Sequence, residues 1–469
     1  MSILRLFLVL NLFWSSITFA DGQSQAQKPN VVMIVLDDMN DWTTLFDENN
    51  PIRVPNIKEL ASRGAFFTKA YASSPACNPS RASVMTGLRP HKTGVYGNSS
   101  DWRSATPGHP TIQQLFKDNG YYTAGSGKIF HHHNDWAFHD NAAFNEFLMM
   151  NINEPYPPKK LNGLDDYGSR NTDWGIWPPQ IEQTADFKTM EYAKAFLAKD
   201  HESPFFLNLG IYKPHSPFFA PAPYFEEYPS SSLTMPILLE KDETDLPAGA
   251  KEMLLDSDWF WTGMQASLHK KPQAWRDYVR AYQACASFAD DMVGRIMKAL
   301  EESKYASNTI IILWSDHGFH LGEKNHFEKF ALWEKTTHVP FIVIAPGITS
   351  PGMIIDTPID LTAIYPGIAE LCGITTPEVD GKSFVQLLRN KSSDIGPALQ
   401  TYGKGNHALR TERWRYIRYN DGSEELYDHE SDPNEWNNLA NGLKYRPIMD
   451  SLQQFLPRTS ADQVPDLIK

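Results

Sequence analysis

The chain has 469 residues, 41% hydrophobic and 21% charged, with a formal net charge of −13 at pH 7. It is too long for one small core, and its composition is that of an ordinary globular protein. The acidic balance disfavours a nucleic-acid partner, but a few local cations can still dominate a cleft that takes an anionic substrate.

Residues 1–20 read as a secretory signal. Arg5 is the only charge, residues 6–13 are apolar, and Ala20 is a small residue suited to cleavage nearby. The apolar run is short for a bilayer span of about 20 residues. No later segment is long and apolar enough, so the expectation is export to the periplasm or beyond, without a transmembrane segment. An exported protein meets oxidising conditions, yet there are only three cysteines, at 77, 285 and 372. A disulfide scaffold is excluded, at most one bridge can form, and one thiol needs another reason to be there.

From residue 31 onwards the chain repeats one theme, an apolar run that stops at a polar cluster. Residues 31–36 run into Asp37-Asp38, residues 121–124 into Gly125-Ser126-Gly127-Lys128, and residues 205–209 lead to Lys213-Pro214-His215. Residues 310–314 run into Ser315-Asp316-His317-Gly318, and residues 341–345 stop at Pro346-Gly347. Short runs rich in β-branched residues predict strands buried on both faces. Helical patterns lie between them: Ile57, Leu60 and Ala61; Ile112, Leu115 and Phe116 behind Thr111; and a long one over 275–303. Strands alternating with helices predict an α/β fold, a large, mostly parallel sheet sandwiched by helices. Ligands of such sheets bind beyond the carboxyl ends of the strands, where the polar clusters are expected to converge.

Two stretches break the pattern, about 134–190 and about 217–274. They are rich in Pro and aromatics (Trp136, Tyr156, Tyr167, Trp174, Trp177, Trp259, Trp261) and suit functional loops that could stack sugar rings. Lys159, Lys160, Arg170, Lys270 and Lys271 add charge there. After Gly381 the pattern changes to short alternating runs, which predict a smaller C-terminal α+β subdomain with a short antiparallel sheet. The expected division is 1–20 signal, 28–375 catalytic domain and 376–469 C-terminal subdomain.

Cys77 begins Cys77-Asn78-Pro79-Ser80-Arg81-Ala82-Ser83-Val84-Met85-Thr86-Gly87. Pro79 suits the first turn of a helix and Gly87 its end. Cys77 then lies where the positive end of the helix favours developing negative charge. This string, Cys-x-Pro-Ser-Arg followed by Ala-Ser-x-x-Thr-Gly, resembles the signature of the sulfatases, formylglycine-dependent members of the alkaline-phosphatase superfamily. Asp37-Asp38 and Asp316-His317 resemble the family's metal pairs. His317 in place of the commoner Asn, with Gly127-Lys128-Ile129-Phe130-His131 and Lys213-Pro214-His215-Ser216-Pro217-Phe218, resembles the iduronate-2-sulfatase-like subgroup.

The resemblance implies a sulfuric ester hydrolase acting on a sulfated carbohydrate. Cys77 would be converted to formylglycine by a formylglycine-generating enzyme, and Ca2+ would sit among Asp37, Asp38, Asp316, His317 and the modified Cys77. Oxygen donors of this kind suit a hard cation. Lys128 and Lys329 would bind the sulfate, with Lys324 and Lys335 as rivals of Lys329. His215 would serve as acid for the leaving alcohol, and His131 would orient or deprotonate a hydroxyl of the nucleophile. Arg81 would hold the formylglycine. A phosphodiester or phosphonate-ester hydrolase of the same superfamily, and a non-catalytic sulfated-glycan-binding protein, are the alternatives.

Overall fold

The computed structural model describes residues 28–131, 136–149, 156–389 and 395–467. The expected signal, 1–20, lies outside them. No helix among the described residues is long and apolar enough to cross a membrane.

The main sheet has eight strands: β1 (Asn30–Asp37), β2 (Ala65–Phe67), β3 (Tyr122–Gly127), β4 (Glu146–Leu148), β5 (Phe205–Pro214), β6 (Thr309–Ser315), β7 (Phe341–Ile344) and β8 (Met353–Ile355). Their order is β8-β2-β7-β6-β1-β5-β3-β4. β1 is central, parallel to β5 and to β6, and buried throughout. Alternate side chains enter opposite cores: Val32, Ile34 and Leu36 face one, Val31, Met33 and Val35 the other. The helix Ala274–Glu301 covers the first face through Tyr278, Tyr282, Cys285, Ala289, Met292 and Ile296, the stripe expected from its period. The helix Ile112–Asp118 lies on the second, its first turn capped by the Thr111 side chain.

One run departs from the expected arrangement. β7 is antiparallel to both of its neighbours, β6 and β2. Its Pro346-Gly347 end therefore lies at the opposite edge of the sheet from the other polar clusters. A parallel strand needs a crossover back to the starting edge. Residues 316–340 make none; they stay at the carboxyl end of β6 and enter β7 from there.

The two insertions meet, because Trp174–Ile176 pairs in parallel with Phe218–Ala220. Of the aromatics expected to stack sugars, Tyr167 and Trp174 are buried packing residues, whereas Trp259 is exposed; the side chain of Trp136 lies outside the described set. Lys160 and Lys271 donate to backbone carbonyls within the insertions, and Lys270 pairs with Asp166. All three cysteines are buried, and none forms a disulfide among the described residues. Cys285 and Cys372 belong to the cores on opposite faces of the sheet, so no bridge joins them.

A second, antiparallel sheet comprises β9 (Ala398–Thr401), β10 (His407–Arg410), β11 (Trp414–Arg418) and β12 (Glu424–Asp428), in that order. Leu399, Leu409, Tyr416 and Leu426 pack on Met449 and Leu452 of the helix Arg446–Gln453. Ala408, Ile417 and Tyr427, on the other face, pack on Ala331, Leu332 and Trp333 of the segment leading into β7. The observed fold is thus α/β, with a large, mostly parallel sheet and a small antiparallel sheet after it.

β3 and β5 approach closely where Gly127 pairs with Gly210. Gly127 has φ +80°, and a Cβ on Gly210 would meet the Lys128 carbonyl carbon at 2.2 Å. Glycine at 210 lets the backbone carrying Lys128 lie against β5. Gly210→Ala should therefore cost about 1–3 kcal/mol, as overpacking does, and lower the urea midpoint at constant m-value. An unchanged midpoint would contradict the close approach.

Candidate active site

The polar clusters of β1, β3, β5 and β6 meet at one edge of the sheet. Asp37 ends β1, and Asp38 follows with φ +65°, a left-handed conformation that Asp tolerates better than most residues. Lys128 follows β3, His215 follows β5, and Asp316-His317 follow β6. Asp37, Asp38, Asp316 and His317 are all buried. The Asp316 carboxylate accepts from the backbone N–H of Asp38 (3.1 Å) and of His317 (3.0 Å), tying the two strand ends together.

Cys77 is the first residue of the helix Cys77–Thr86, which Gly87 closes in the left-handed conformation. All ten residues of this helix are buried. Besides His131, four groups surround the Cys77 Sγ: Lys329 Nζ at 3.1 Å, His317 Nε2 at 3.3 Å, Lys128 Nζ at 3.7 Å and Asp37 Oδ1 at 3.8 Å. Burial alone would raise this thiol. Lys128, Lys329 and His317, with a hydrogen bond from His131, outweigh it and hold the thiol well below its ordinary range.

Arg81, one turn into the helix, is fully buried. It donates from Nε to Asp316 Oδ2 (2.8 Å) and from Nη2 to Asp37 Oδ1 (3.1 Å), and its Nη1 reaches the carbonyls of Lys128 and Ile129. Lys128 also pairs with Asp37, and Lys329 with Asp38 Oδ1 at 2.9 Å. His317 lies 3.4 Å from Asp38 Oδ1 and 3.6 Å from Asp316 Oδ2. His215 Nε2 stands 4.0 Å from Asp38 Oδ2 and is partly exposed at the mouth of the site.

The carboxylates of Asp37, Asp38 and Asp316 suit a hard divalent cation. Asp37, Asp316, Cys77 and His317 can offer one ligand atom each to a common point, as can Asp37, Asp38, Cys77 and His215. Asp38 Oδ2 is buried and has no hydrogen-bond partner, an arrangement costly unless something cationic meets it. Burial raises the Asp316 carboxyl despite Arg81 and His317, whereas Lys128, His215 and Arg81 hold Asp37 well below its usual range.

The structure brings together all ten residues singled out from the sequence. It separates Lys329 from its rivals: Lys324 pairs with Asp242 at 3.2 Å and Lys335 with Asp41 at 2.8 Å. It also adds residues that the sequence reading missed. Tyr282 OH donates to the Asp38 carbonyl (2.7 Å) and accepts from Asn40 N–H (3.0 Å), holding the turn after β1. Lys213 Nζ donates to the carbonyls of Pro217 (2.6 Å) and His215 (3.3 Å), folding the loop that carries His215. Tyr282 was hidden in the apolar stripe of its helix. Lys213 sat within a quoted motif whose histidine drew the attention.

Comparisons with known proteins identify the family. The sulfatase family profile matches residues 29–374, and the C-terminal profile of N-sulphoglucosamine sulphohydrolase matches 322–462. A sulfatase of Formosa agariphila is 36% identical over 94% of this chain and 88% of its own. Human iduronate 2-sulfatase is 30% identical over 78% of this chain and 74% of its own. A solved structure bound to its substrate D-glucosamine-2-N,6-O-disulfate superimposes with TM-score 0.72 at 21% identity, over 91% of this chain and 96% of that one. The chain belongs to the sulfatase family and is a sulfuric ester hydrolase.

Proposed function

We propose that the chain releases sulfate from a sulfated carbohydrate, with a formylglycine made from Cys77 and a Ca2+ ion beside it. The observation that carries this reading is the surroundings of the Cys77 Sγ, which stands in for the reactive end of the modified side chain. Two lysines, a histidine and an aspartate lie within 3.8 Å of it. The carbohydrate assignment is supported by the names of the relatives, iduronate 2-sulfatase among them, and by the disulfated glucosamine held by the superimposed structure. Maturation then requires a formylglycine-generating enzyme, and the 1–20 segment suits export.

The hydrated aldehyde would supply the hydroxyl that attacks sulfur, and Ca2+ would supply positive charge next to it. Asp37, Asp38, Asp316 and His317 would hold it. Their three carboxylates are at present matched by Arg81, Lys128 and Lys329. With a cation held there, Lys128 and Lys329 would be released from Asp37 and Asp38 to face the sulfate oxygens. Charge placed in advance where the transition state needs it, in a site closed to water, is the strongest form of such stabilisation. Arg81 is on Asp37 and Asp316, so its part includes holding the carboxylates in place beside Cys77. His215, at the open side, gives a proton to the leaving alcohol. His131, hydrogen-bonded at Cys77, takes the proton whose loss frees the sulfate.

Three outcomes are expected. Expressed with a formylglycine-generating enzyme, the Cys77 peptide should lose about 18 Da, and activity should track that loss; full activity with an intact thiol defeats the proposal. Chelation with EGTA should abolish turnover and lower stability by about 2–3 kcal/mol relative to saturating Ca2+; calorimetry with Ca2+ restored is the check. Lys128→Ala should lower kcat/KM on an aryl sulfate by about 10²–10³, the cost of removing one transition-state donor, while the protein stays folded by circular dichroism. A wild-type rate would remove Lys128 from the sulfate site.

A further inference from the structure

The small sheet carries a cleft that the chemistry above does not use. It is open, has a volume of about 660 Å³, and lies between the turns at one end of the sheet and the chain that follows the helix Arg446–Gln453. Lys404, Arg418 and Arg458 line it, and among the described residues no carboxylate does. In a chain of net charge −13, three cations facing one cavity without an acid among its walls is a local reversal of sign. Arg458 is exposed and Arg418 half-buried, and neither forms an ion pair among the described residues. Lys404 pairs with Asp462 at 2.5 Å, on the rim. Leu456 and Pro457 supply an apolar wall, and Asn420, Thr459 and Ser460 supply hydrogen-bonding groups.

The position of the cleft connects it to the active site. The turn 402–406, between β9 and β10, contributes Lys404 and Gly405 to the cleft. At its other end, Tyr402 packs on Phe330 with ring centroids 5.9 Å apart, and Phe330 adjoins Lys329. The strand entering this turn is anchored by Thr401 N–H on the Ser73 carbonyl at 2.9 Å, four residues before Cys77. One short turn therefore spans the wall of the catalytic pocket and the basic cleft.

We infer that this cleft binds a sulfated segment of a polymeric glycan while another segment of the same chain occupies the active site. The inference rests on the carbohydrate reading above. Its volume is that of a small-ligand site, and its cations would face sulfates or carboxylates of successive sugars, with ring faces against Leu456 and Pro457. Two linked contacts raise the effective concentration of the reacting end without any change in the chemistry. Binding through exposed cations also weakens as salt rises.

The test is the double variant Arg418→Gln/Arg458→Gln, which breaks no ion pair. Affinity for dextran sulfate, measured by fluorescence anisotropy at low salt, should fall at least about fivefold and become less salt-dependent. Neutral dextran should not bind either protein. The kcat and KM for a small aryl sulfate should be those of the parent. Equal affinity of parent and variant for dextran sulfate overturns the inference. So does a parallel loss of aryl sulfate turnover, which would mean that the arginines act through the catalytic pocket. Failure of the carbohydrate reading looks different: the parent then releases no sulfate from any sulfated sugar, while the anisotropy comparison still decides the cleft.

Discussion

Asp37, Asp38 and Asp316 are buried carboxylates at the ends of two adjacent strands, and the rest of the site follows from what it takes to keep them there. Removing a carboxylate from water costs several kcal/mol, and the cost is recovered only with close opposite charge and filled hydrogen bonds. Here each carboxylate has its cation: Arg81 for Asp316, Arg81 and Lys128 for Asp37, and Lys329 for Asp38. Arg81 comes from a helix, Lys128 from the end of β3, and Lys329 from the long segment after β6. The charge cluster therefore ties together three separate parts of the chain, and Cys77, one helical turn from Arg81, lies at their centre.

That dependence explains the work of the second sheet. Lys329 sits on backbone that is far from relaxed: Lys324, Asn325, Glu328 and Phe330 all have φ between +53° and +76°. Left-handed residues other than glycine each cost of order 1–3 kcal/mol and persist only where the surroundings hold them. The surroundings here are the small antiparallel sheet. Ala331, Leu332 and Trp333 are buried against it. Just beyond them, Glu334 is bound by Arg410 (3.1 Å) and Arg415, and Arg415 also reaches Glu435 at 2.6 Å. Burial would raise the Glu334 carboxyl, but Arg410, His429 and Arg415 hold it well below its usual range. The sheet thus clamps the segment that presents Lys329, and the same sheet carries the basic cleft. Substrate handling and assembly of the catalytic pocket share one scaffold.

Much of this was legible beforehand because each signal was local. The strands showed as apolar runs, since a strand covered on both faces has no polar positions to spare, and β1 is buried from end to end. The helix Cys77–Thr86 showed through Pro79 and Gly87, and the long helix through its period. Asp37, Asp38, Asp316 and His317 stood out because they sat where strands stop, and Cys77 because the string it begins resembles the sulfatase signature. The direction of β7 was not legible, because an apolar run looks the same read in either sense. The packing roles of Tyr167 and Trp174 were not legible either, since an aromatic residue has the same composition in a core as on a sugar-binding rim.

By itself, then, the amino-acid sequence marked five of the eight strands of the main sheet, the sheet edge where polar clusters gather, and ten candidate residues for the chemistry. Period, caps and strand-end polarity are properties of neighbouring residues. Only the tertiary structure decided which lysine faces Cys77, that Arg81 binds carboxylates, that β7 reverses, and that Lys404, Arg418 and Arg458 share a cleft. Each of those depends on distances between residues far apart along the chain, and such distances are set by how buried charge and apolar surface are satisfied across the whole fold.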